Sequence, residues 1–113
     1  MTARLTSTML VAALLRRVSN EGGNAVVVAK GDATSGSVLL ICLDKGARTA
    51  FRERLLGADG RYGWAAVGPA LDAEFTEVDG WLARRQSRDP DLWIVELDIP
   101  NAERFAAETS GDG

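Results

Sequence analysis

Three segments of this chain are apolar on both faces of the strand each would form: Val26–Val27–Val28, Val38 to Cys42, and Leu92 to Val95. A strand that alternates apolar with polar residues can leave one face in water, whereas these need cover on both. The sequence therefore demands helices on the two faces of a sheet, or helices on one face and a partner subunit on the other.

The helices that could supply this cover are legible. Leu10, Val11, Leu14, Leu15 and Val18 fall on one face and predict a helix from about Ser7 to Glu21. Thr6, Ser7 or Thr8 can cap its start, and Gly22–Gly23 can end it. A second stripe, Leu71, Phe75, Val78 and Leu82 with Trp81 at its edge, predicts a helix between about Asp72 and Arg88. Its start moves four residues later if Thr76–Glu77–Val78–Asp79 acts as a capping box. Asp89–Pro90 stops it, because the residue before proline avoids the helical region. Asn101 can cap a short last helix to about Glu108.

Strands are expected at about Ala25–Lys30, Ser37–Leu43, Arg48–Leu56, Arg61–Val67 and Asp91–Ile99, the first four separated by turn signals such as Asp59–Gly60. The fold class is therefore α+β. The element order is α-β-β-β-β-α-β plus a short C-terminal helix, with the five strands in a mainly antiparallel sheet. Short turns make the first four strands a meander, and the second helix carries the fifth strand across to give the order 5-1-2-3-4. On the fifth strand Trp93, Val95, Leu97 and Ile99 share one face, which makes Trp93 a core residue. A single domain is expected over residues 1–109, with a flexible tail at 110–113.

Composition removes most chemistry. The chain has 113 residues, a net charge of −3, one Cys and no His. No intrachain disulfide or cysteine-rich metal site can form, and no cofactor or metal is expected. An acidic chain has no global basic field for nucleic acid, which is disfavoured as a partner. The apolar run Met9–Leu15 is too short to span a bilayer, and Arg16–Arg17 follow where a secretory signal would place its cleavage site, so no membrane association and a cytoplasmic location are expected.

Individual motifs are weak. Gly31–Gly36 has the spacing of a phosphate loop, but Ser37 and Val38 stand where Lys and Ser/Thr are required, so a plain turn is expected. Cys42 has no base to make it a nucleophile and reads as a packing residue. Asp89, Asp91, Glu96 and Asp98 are spread along a strand, with about 16 Å between Asp91 and Glu96, too far for one hard-cation site. Glu96 interrupts an apolar strand and calls for an Arg partner, with Arg16, Arg17 or Arg85 as candidates. The best local ligand candidate is the cluster Arg84, Arg85 and Arg88 with Trp81, at the end of the second helix.

The run Arg84–Arg85–Gln86–Ser87–Arg88–Asp89–Pro90–Asp91–Leu92–Trp93–Ile94–Val95–Glu96 resembles the bacterial domain-of-unknown-function family 1491. So do the opening from Arg4–Leu5 to Val18 and the segment from Lys30–Gly31–Asp32 to Leu40. The resemblance implies a small single-domain cytosolic protein and supplies no catalytic residues. These readings point to a non-enzymatic interaction or binding domain, with a homodimer or an unidentified protein as partner. The alternative is a His-free enzyme or small-anion binder that uses the Arg cluster.

Overall fold

The computed structural model describes residues 5–111. Helix α1 (Ser7–Asn20) begins at Thr6, whose hydroxyl accepts a hydrogen bond from the Met9 amide. The strands are β1 (Asn24–Ala29), β2 (Val38–Asp44), β3 (Ala47–Leu56), β4 (Tyr62–Ala66) and β5 (Trp93–Asp98). Helix α2 (Phe75–Arg88) lies between β4 and β5, and α3 (Ala102–Ser110) follows β5. Helix α2 starts later than the apolar stripe alone suggests. Its N-cap is Glu74, which makes no side-chain capping bond, so the expected capping box does not form. Asn101 occupies the N-cap of α3 in a left-handed conformation, also without a side-chain bond. Ser110, expected in the tail, belongs to α3, where its hydroxyl donates to the Ala106 carbonyl and accepts from the Trp64 indole.

The sheet order is β1-β5-β2-β3-β4, which corrects the expected 5-1-2-3-4. Strand β5 enters between β1 and β2, antiparallel to β1 and parallel to β2. The sheet is therefore mixed, although the β1–β5, β2–β3 and β3–β4 pairings are all antiparallel. Burial explains the placement. Strand β5 carries Trp93, Ile94, Val95 and Leu97, all buried, and the centre covers it on both sides. The smaller β1, Asn24-Ala-Val-Val-Val-Ala29, takes the edge instead.

The segment between β1 and β2 is consequently no hairpin turn. It crosses the start of β5, and its backbone runs so close to Asp91 that a Cβ on Gly31 or Gly36 would overlap the Asp91 carbonyl. Only glycine fits such an approach. Asp32 shapes the crossing: its carboxylate accepts from the amides of Thr34 and Ser35 and from the Ser35 hydroxyl. These donors, the Ser35 amide foremost, hold the Asp32 carboxyl below its ordinary value of 3.8. The Asp32 carbonyl accepts from the Trp93 indole at 2.7 Å, which ties the loop to the core.

Helices cover both faces. Leu10, Leu14 and Val18 of α1 and Ala102 and Ala106 of α3 pack with Val38, Leu40, Trp93, Val95 and Leu97 on one face. Val78 of α2 packs with Leu39, Ile41, Phe51 and Ile94 on the other. Among the described residues, each face of the sheet thus carries a helix-covered core rather than one broad bare face.

Candidate functional site

The Arg cluster resolves into separate roles. Arg85 forks onto Glu53, with Nη1 at 2.8 Å from Oε1 and Nη2 at 2.9 Å from Oε2. Glu53 is buried at 7% exposure, so this bidentate pair compensates a carboxylate inside the sheet–α2 interface. The same hydrogen bonds raise the Arg85 pKa. Trp81 packs edge-on against Phe51, with ring centroids 5.2 Å apart, and a Cβ on Gly68 would come within 2.6 Å of its indole. Its ring is thus used in packing. Arg84 and Arg88 remain exposed, whereas Arg85 and Trp81 are engaged with Glu53 and Phe51.

The expected Glu96 pair is also corrected. Arg16 and Arg17 belong to α1, on the opposite face of the sheet from Glu96. Arg17 instead holds Glu108 of α3 at 2.8 Å and lies over the Phe105 ring, while Arg16 is exposed. Arg85 is committed to Glu53. Glu96 stands beside Val26 of the edge strand and is half-buried, so water reaches it there and no cation is required. Cys42 behaves as expected of a packing residue: burial, reinforced by Glu103, pushes its thiol up to about 12.

A cavity of about 320 Å³ lies between the start of α1, the Asp32 loop and the β3–β4 hairpin. Its polar lining is largely occupied with structure. The Ser7 hydroxyl donates to the Gly36 carbonyl, the Ser35 hydroxyl to Asp32, and the Thr6 hydroxyl caps α1. The Arg54 guanidinium lies 4.9 Å above the Tyr62 ring. Among the described residues no group of three or more Cys, Asp or Glu side chains is placed to hold a metal ion. No helix among them is long and apolar enough to cross a membrane.

An exposed apolar feature lies at the outer edge of β1. Among the described residues this strand pairs only with β5, so its other side presents backbone groups without a strand partner there. Val26, Val27 and Val28 are 53%, 37% and 50% exposed. No charged residue or proline lies within Asn24–Ala29 to blunt the edge; a bulge at Val28, where the register to β5 shifts, is the device present. The opposite edge, β4, likewise pairs with a single strand, β3, and its Trp64 indole donates to Ser110 of α3. The valine run of β1 suits an interior strand, the place expected for it in the order 5-1-2-3-4, yet β1 lies at the edge. The signal that marks it as the edge is its small side chains beside those of β5.

A five-stranded mixed sheet with helices on both faces defines a small α+β domain with an apolar edge strand. The model of the family DUF1491, described as a protein of unknown function, matches residues 5–107, and the chain belongs to that family. Two structures of a DUF1491 family protein from Caulobacter crescentus CB15 are similar to it. The NMR structure is 30% identical with a TM-score of 0.74, covering 92% of this chain and 94% of that one. The crystal structure is 30% identical with a TM-score of 0.76, covering 89% and 94%. Protein Atu0922 from A. tumefaciens is 28% identical with a TM-score of 0.67, covering 88% and 89%. No curated protein matches the chain.

Proposed function

We propose that this chain is a non-enzymatic interaction domain of the cytoplasm that binds a partner strand along the outer edge of β1. The observation that carries this reading is the row of half-exposed valines on an edge with open backbone groups. An added strand satisfies those backbone groups and covers the valines together. The alternative, a small-anion binder built on the Arg cluster, loses its central guanidinium to Glu53.

The test is a photo-crosslinking residue introduced at Val28 in the full chain expressed in cells. The control carries the same residue at Asp59, in the exposed β3–β4 turn. A discrete adduct from position 28 and none from position 59 is the expected result. Equal labelling from both positions, or none from position 28, overturns the proposal.

A further inference from the structure

We infer that the strand received by β1 is β1 of a second copy, antiparallel to the first, about a two-fold axis perpendicular to the sheet. This rests on the reading of β1 as the binding edge and names its partner. The first argument is charge. Asn24–Ala29 contains no ionisable side chain, so a copy laid against it opposes no like charges. The second argument concerns the strand ends. Glu21 precedes β1 and Lys30 follows it, and both are exposed. An antiparallel pair brings Lys30 of each copy toward Glu21 of the other, at both ends of the ribbon. A parallel pair would set Lys30 toward Lys30 and Glu21 toward Glu21. The self-paired edge therefore carries its own charge complement and its own preferred direction.

Geometry fixes the axis. Opposed residues in an antiparallel pair point to the same face, so the two-fold must stand perpendicular to the sheet. The two sheets then become one, with α1 and α3 of both copies on one side and α2 of both on the other. A pair of six-residue strands buries little area, and the bulge at Val28 shortens the flat stretch further. The association is accordingly weak and reversible, in the class of small transient interfaces.

Sedimentation velocity of the purified full chain, from about 5 to about 500 µM at low salt, tests this. The expected result is a 12.0 kDa monomer that shifts to twice that mass as concentration rises. Lys30→Glu and Glu21→Lys each weaken the dimer about fivefold, and the double exchange restores it. Val26→Lys places two ammonium groups near the axis and abolishes it, while unchanged near-ultraviolet circular dichroism shows that the variant is folded. A monomer throughout the range overturns the inference, as does a dimer indifferent to both single charge exchanges. The crosslinking experiment separates the two levels. A monomer in solution, together with a position-28 adduct of some other mass, sinks the second copy and leaves the strand-binding reading standing. No adduct sinks both.

Discussion

Strands β1 and β5 are neighbours of six residues each, both read from sequence as apolar on two faces, yet they meet opposite fates. In β5, Trp93, Ile94, Val95 and Leu97 are at most 4% exposed. In β1, the three valines are 37–53% exposed. Hydrophobic pattern alone marks a segment as a strand, but it does not rank strands across a sheet. What ranks them here is side-chain bulk and a backbone device. The larger residues of β5 reward cover on both sides, and the glycines of the Gly31–Gly36 crossing let the chain pass over β5 to reach β2.

The contrast is sharpened most by truncating one strand and then the other. Trp93→Ala removes a buried aromatic and the indole bond to Asp32, and a loss of about 3–5 kcal/mol is expected in denaturant unfolding. Val28→Thr keeps the β-branch on the exposed strand and is expected to change stability by less than about 0.5 kcal/mol. A loss below about 1 kcal/mol for Trp93→Ala would place β5 near solvent and break the comparison.

Next in size is the crossing itself. Gly36→Ala forces the loop backbone away from Asp91 and is expected to destabilise by about 2–3 kcal/mol. Gly46→Ala, at a turn with nothing within 4 Å, probes only its positive backbone angle and is expected to cost about 1 kcal/mol. Equal losses at the two sites would show that the crossing is not tight.

The smallest effect is electrostatic. The Asp32 carboxyl is held below its ordinary value of 3.8 by amide and hydroxyl donors. Its ionised form thus favours the closed loop above that value, and the contribution is lost as pH falls through the lowered midpoint. Acid titration of the Ser35 amide by NMR should show that lowered midpoint. In Asp32→Asn the inflection should vanish and loop amides should exchange faster. A midpoint at or above 3.8 would detach Asp32 from the loop.

Much of the fold was legible from residue types. The valine run, the Thr6 cap, the stripe of α1 and the Trp93 face all follow from local periodicity, and the structure keeps each of them. The meander survives in β2-β3-β4 but not in the place of β1, because strand adjacency depends on which segments compete for the centre, a long-range matter that no local window contains. The same limit applied to the charges. Arg85 was a visible candidate, but its partner Glu53 lies on β3, far away in sequence, and only the sheet–α2 packing brings them together. Arg48, unremarkable in sequence, donates to the carbonyls of Leu71 and Ala73 and stacks on Phe75, holding the approach to α2. The β1 edge was hidden by its own hydrophobicity, which resembles that of an interior strand.

Amide hydrogen exchange compared at low and high protein concentration tests the account most directly, because it reads β1 and β4 in one experiment. The account predicts that amides of Asn24–Ala29 slow as concentration rises, while those of Tyr62–Ala66 do not change. Unchanged β1 amides at a concentration where the protein associates, or slowing confined to β4, would contradict it.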